Sequence, residues 1–182
     1  MRVVDKRTKL SRRAFLKESG AATVGLVALS VGVGMIASPD GAWAMSVKNL
    51  KPETMQTLIQ MARDIYPHDH LGDKYYALAV ASYDDKAGSD AAVKAMVEDG
   101  IASLDAIAAA QHGGRYVSVG WEADRVAILK QIEQGKFFQT VRGGLVTSLY
   151  NNHDVWPKFG YEGASADKGG YIHRGFDDID WI

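Results

Sequence analysis

Two histidines bracket an aspartate at His68-Asp69-His70, with Asp73 close behind, the densest group of ligand-type side chains in the sequence. Histidines at i and i+2 in a loop can both reach one metal ion, but a closed site needs a third or fourth ligand. Neither an H-E-x-x-H helix nor a cysteine supplies one. A structural or interface role for His68, Asp69 and His70 therefore outweighs a metal site. His153, Asp154 and His173 stand apart in the chain. No Gly-x-Ser-x-Gly elbow accompanies them, so a Ser–His–Asp nucleophile would rest on composition alone. The acidic end Asp177-Asp178-Ile179-Asp180 could attract Ca²⁺, yet it lacks the glycine and the twelfth-position Glu of an EF-hand loop. The glycines between positions 160 and 170 follow a helix and a turn rather than a strand, so no dinucleotide or phosphate cradle can be argued. The sequence names no catalytic and no cofactor-binding residue.

The elements that would position these groups are helical. Lys51-Pro52-Glu53 opens the first, with Pro at the first helical position and an acid at the positive end of the dipole. Met55, Leu58, Ile59, Ala62, Ile65 and Tyr66 then form one apolar stripe, and Pro67 ends it. A second helix from Asp73 or Lys74 carries Tyr75, Tyr76, Ala79, Val80 and Tyr83 and ends at Gly88. Ser89 and Asp90 offer caps for a third, with Val93, Met96, Val97, Ile101, Leu104 and Ala108 on one side and Gly113-Gly114 at its close. Its alanine-rich end, residues 106–110, permits a close neighbour. Residues 115–120 favour a strand but have no partner strand elsewhere, and read as a connector. Val126, Leu129 and Ile132 mark a fourth helix. Phe138, Val141, Leu145 and Leu149 mark a fifth, whose central Gly143-Gly144 costs about 1 kcal/mol per glycine unless another backbone comes close.

Beyond Asn152 the periodicity stops. Trp156, Tyr161, Tyr171, Phe176 and Trp181 are spread among glycines and charges, too irregular for a core and too aromatic for an ordinary disordered tail. A receiving surface, which can belong to another chain, explains them better. The expected architecture is all-α: a small bundle of about five helices with an irregular aromatic C-terminal extension and no credible sheet.

The amino-terminal stretch is an address. Ser11-Arg12-Arg13-Ala14-Phe15-Leu16-Lys17 resembles the twin-arginine export consensus, and a weakly apolar run rich in Ala, Gly and Val follows. Gly41-Ala42-Trp43-Ala44 then supplies a small-x-small cleavage site at Ala42 and Ala44. The expected division is a signal peptide over residues 1–44, a helical domain over 45–151 and a partner-binding tail over 152–182. A retained membrane anchor is the alternative for the first of these. A cut after Ala44 leaves 14 Lys and Arg against 19 Asp and Glu. That acidic balance argues against nucleic acid or anionic lipid as partner. The chain has no cysteine, which removes disulfides, an N-terminal lipid and thiolate iron–sulfur or c-type haem attachment from consideration.

Twin-arginine export carries folded proteins, often because a cofactor was inserted first, yet this chain offers no place for one. A simple resolution is that it carries the address for a cofactor-bearing partner. Asp64-Ile65-Tyr66-Pro67-His68-Asp69, together with Leu149-Tyr150-Asn151-Asn152 leading to Val155-Trp156-Pro157-Lys158-Phe159-Gly160-Tyr161-Glu162-Gly163, resembles the gluconate 2-dehydrogenase subunit 3 family. These are the small, or gamma, subunits of periplasmic flavin-dependent sugar and polyol dehydrogenases.

The resemblance implies a large partner subunit of the glucose-methanol-choline type holding FAD, and often a multihaem cytochrome c subunit that takes the electrons. It implies an escort role for this chain, with Arg12, Arg13, Phe15 and Leu16 for targeting. Trp156, Gly160, Tyr161 and Gly163 would form a turn facing the large subunit, with Pro157, Tyr171, Phe176 and Trp181 as further interface residues. It carries over no catalytic residue. Relatives in that family can contain cysteines, so any disulfide they hold is absent here. The competing expectation is a self-standing periplasmic metal-binding protein or enzyme using His68, Asp69 and His70.

Overall fold

The computed structural model describes residues 26–30, 33–37, 44–173 and 176. Arg12, Arg13, Phe15, Leu16, Ala42, Trp181 and the acidic end at 177–180 lie outside them.

Five α-helices follow one another among the described residues: α1 (Pro52–Ile65), α2 (Asp73–Ser89), α3 (Ala91–His112), α4 (Glu122–Ile132) and α5 (Lys136–Tyr150). They form the expected all-α bundle. α1 is its centre and packs against all four of the others. The periodicity suggests a helix with one apolar stripe, but α1 buries Thr54, Thr57, Gln60 and Asp64 as well as Met55, Leu58, Ile59, Met61 and Ala62. Polar side chains can be buried on such a helix only where each finds a partner. No buried side-chain nitrogen or oxygen among the described residues is left without one.

Asp64 shows how. Arg125 on α4 grips it with two parallel bonds, Nε to Oδ2 at 2.8 Å and Nη2 to Oδ1 at 2.9 Å. Tyr116 donates to Oδ2 at 2.7 Å and Gln60 to Oδ1 at 3.1 Å. The remaining Arg125 nitrogen donates to the Val119 carbonyl at 2.9 Å. Burial works against the Arg125 charge, but the bonds to Asp64 and its negative charge outweigh that, and the guanidinium is held above its ordinary range. Burial first, then the Asp64 charge, pushes the Tyr116 phenol far up, so it stays a donor. One network thus ties α1, the short 3₁₀ turn Tyr116–Ser118 and α4 together.

Other carboxylates pin chain segments to helices in the same manner. Asp84 on α2 accepts the backbone N–H groups of Lys48, Asn49 and Leu50 at 3.0, 2.9 and 2.8 Å. Glu98 on α3 receives Lys51 N–H at 2.8 Å and the Thr54 hydroxyl at 2.6 Å, and so holds the start of α1. Asp90 caps α3 by accepting from Ala92 and Val93, and Gly113 closes that helix at φ 75°.

The structure departs from the sequence reading in several places. A sheet was not expected, yet three short antiparallel strands precede the bundle: β1 (Leu26–Ser30), β2 (Val33–Ala37) and β3 (Ala44–Val47), with β2 in the middle. Short apolar runs read equally as strand or helix, and the weakly apolar stretch ahead of the bundle is such a run. Ile36 and Val47 join the core. α4 turns Arg125, Ile128 and Leu129 inward and leaves Val126 half-buried, because the Asp64 pair sets its rotation. The alanine-rich end of α3 contributes Ala108 to the core, while Ala106, Ala109 and Ala110 are not buried. At Gly144 the close neighbour is a side chain, not a backbone: an added Cβ would lie 2.5 Å from the Tyr83 hydroxyl, which itself bonds the Thr140 carbonyl at 3.0 Å. Gly100 on α3 likewise makes room for the Phe137 ring.

Candidate functional site

The loop that follows α1 and the aromatic turn that follows α5 are about eighty positions apart in sequence and touch in the fold. Pro67 ends α1 and turns the chain into a loop that Leu71, fully buried, nails to the core. Arg63 spans the loop's base, bonding Asp73 at 2.5 Å and the Leu71 carbonyl at 3.4 Å. Tyr76 fixes its entry by donating to the Tyr66 carbonyl at 2.7 Å and accepting from His68 N–H at 3.1 Å. His68 therefore has a defined place beside the end of α5, where its Nε2 lies 2.6 Å from the Tyr150 hydroxyl.

The aromatic turn closes over it. Beyond α5, Val155 is buried and Trp156–Phe159 forms a 3₁₀ turn ended by Gly160 at φ 73°. Trp156 donates to the Tyr150 carbonyl at 2.7 Å, and its ring stacks on His153 at 4.0 Å and meets Tyr161 edge-on at 5.1 Å. Gly163 at φ 97° lies against the Trp156 ring, and an added Cβ would sit 3.4 Å from it. Phe159 lies against both histidines, 4.8 Å from each imidazole centroid and nearly perpendicular to both. Lys158 reaches across to the Tyr75 ring at 5.3 Å. Two pieces of chain with no periodicity of their own thus hold one another through aromatic edges and a His–Tyr bond.

Outward from this seam the surface is apolar and open. Phe159 is 40 % exposed, Tyr161 47 %, Tyr171 60 %, Ile172 77 % and Phe176 79 %. An open cleft of about 560 Å³ runs between His153, Trp156, Pro157, Gly160, Tyr161, Glu162 and Lys168. Of the sequence-named interface residues, Trp156, Pro157, Gly160, Tyr161 and Gly163 are brought together, while Tyr171 and Phe176 lie further along the exposed extension. The remainder of that extension contains one more 3₁₀ turn, Ser165–Lys168, with Gly169 and Gly170 at positive φ.

The chemistry-bearing candidates fall out as follows. His68 and His70 have ring centroids 5.7 Å apart, with the Phe159 ring beside both. Among the described residues, no group of three or more His, Cys, Asp or Glu side chains is placed to hold a metal ion. His153 is engaged with Trp156, Asp154 takes part in a local turn through Asn152, and His173 is exposed. No helix among the described residues is long and apolar enough to cross a membrane. The sequence reading missed Asp64, Tyr116 and Arg125 as a unit. The only signal available was an Asp and an Arg on faces otherwise apolar.

His68 is held below its ordinary pKa, first by burial and then by the neighbouring His70, with Asp69 opposing. A base whose folded pKa is depressed favours the fold above its unfolded pKa, near 6.5, and withdraws that support as pH falls through the lower, folded value. Stability is thus expected to decline between neutral and mildly acidic pH. The decline should be smaller in His68→Gln, read from melting temperatures at pH 7.5 and 5.5, and an identical pH slope in the variant would refute the assignment.

No family model, curated protein or solved structure matches this chain.

Proposed function

We propose that this chain is the non-catalytic small subunit of an exported flavin-dependent sugar or alcohol dehydrogenase complex. In this reading it carries the twin-arginine address at Arg12, Arg13, Phe15 and Leu16 and supports the folding and export of a larger catalytic subunit to the periplasm. FAD belongs to that partner, a protein of the glucose-methanol-choline type, and a multihaem cytochrome c is the natural electron acceptor.

The observation that carries the reading is the seam between the His68 loop and the aromatic turn. The two stretches that resemble the subunit 3 family meet through the His68–Tyr150 bond and the Phe159 ring. Together they present Phe159 and Tyr161 beside an extension whose Tyr171 and Phe176 are largely exposed. A packed turn with a rim of exposed aromatics is the composition of an interface anchor, and an irregular segment that orders against a partner can wrap a large surface. Asp64 from the first stretch is bonded within the bundle's interior, while Phe159 and Tyr161 from the second are partly exposed, which suits one stretch holding the fold and the other meeting a partner.

Replacing both Phe159 and Tyr161 by Ala in the full chain is expected to lower recovery of a co-expressed large subunit more than tenfold, as loss of buried aromatic anchors does. Helical content should stay unchanged, since both side chains are largely outside the core. Equal recovery with the parent chain would remove the turn from the interface.

A further inference from the structure

The leader and the helical body share one packed structure. β2 lies against α1, and its Ile36 is fully buried in the same core as Val47 and Leu50, while Met35 next to it is 40 % exposed. β2 pairs on one side with β1 and on the other with β3, where Met35 stands opposite Ser46, Ile36 opposite Met45 and Ala37 opposite Ala44. The Ala44–Met45 peptide bond, where a small-x-small cut would fall, is therefore inside the β2–β3 ladder. Just downstream the chain is bolted: Lys48, Asn49 and Leu50 give their N–H groups to the buried Asp84 carboxylate. β3 is thus held on one side by its ladder and at its end by a clamp.

We propose that the β1–β2 hairpin is a latch that stores the apolar leader against α1 and shields the processing bond. A peptidase takes its substrate as an extended, unpaired segment, and the pairing partner of Ala44 and Met45 is the leader itself. The hairpin must peel from α1 and from β3 before the bond is cut. The Asp84 clamp keeps the first residues of the body in place while it does. This rests on the export reading of residues 11–17 and of Ala44.

The absence of cysteine makes the test clean, because Met35→Cys with Ser46→Cys in the full chain can form a single disulfide. The two positions are direct cross-strand partners, both on the exposed face, and such partners lie within disulfide reach. With purified leader peptidase in detergent, the oxidised variant should be cut after Ala44 at least tenfold more slowly than the same protein after reduction, read on reducing gels. Ile36→Asp, which expels β2 from the core, should be cut faster than the parent chain. Equal rates for the oxidised and reduced forms overturn the latch. Failure of the pair to close under mild oxidant also overturns it, and leaves the export reading standing. A pair that closes readily in a chain that is never cut after Ala44, reduced or oxidised, overturns the export reading and the latch with it.

Discussion

Asp64→Ala is expected to cost about 3–5 kcal/mol, because it leaves a buried guanidinium facing an empty place instead of a carboxylate. The total stability of a domain this size is about 5–15 kcal/mol, so the variant should sit near the edge of unfolding. Its melting temperature should fall by at least about 10 °C. The cause is the missing partner rather than the lost attraction: Arg125 keeps the Val119 carbonyl, but Tyr116 and Gln60 also lose their acceptor. Replacing both members, Asp64→Leu with Arg125→Met, removes the stranded charge but still leaves the Tyr116 and Gln60 donors without their acceptor, so it should recover only part of the loss. A melting point for Asp64→Ala within about 2 °C of the parent would show that the network does not hold α1, the Tyr116 turn and α4 together, since losing a buried pair's partner costs far more.

The second large effect concerns the address. Arg12→Lys with Arg13→Lys is expected to strand the partner's dehydrogenase activity in the cytoplasm, reducing the periplasmic activity to background. The double substitution keeps the charge and removes the guanidinium pair, so it separates a basic cluster from the twin-arginine motif. Fractionated cells assayed with an artificial electron acceptor would give the answer. Unchanged periplasmic activity would mean that the partner travels by its own signal.

Much of the bundle is legible in the sequence. Pro52 and Pro67 bracket α1, Asp90 and Gly113 bracket α3, and the stripes of α2, α3 and α5 bury most of the residues their spacing picks out, leaving Tyr75, Val93, Met96 and Phe138 partly buried. The failures have a common physical origin. α1 is buried on nearly every side, and only tertiary partners reveal that Gln60 and Asp64 belong inside. Arg125 reads as a surface residue until its carboxylate is seen, and once it is inside it rotates α4 away from the face suggested by Val126. The strands were hidden because a run of Leu, Val, Gly and Ala has no period that separates a leader helix from a hairpin.

The candidate site divides in the same way. Its residue types were visible: histidines beside Pro67, and aromatics among glycines after Asn152. Their junction was not. Nothing local connects His68 with Tyr150 or Phe159, which lie more than eighty positions away, and only the packing of α5 against α1 and α2 brings them together.

The most direct measurement is recovery of the full chain, affinity-tagged at its natural level, from the periplasm of the cell that makes it. The escort reading predicts a stoichiometric complex with a much larger flavoprotein that oxidises a sugar or another alcohol, while the small chain alone neither binds flavin nor turns over substrate. Recovery of the chain only as a free monomer, with no flavoprotein attached, would contradict it.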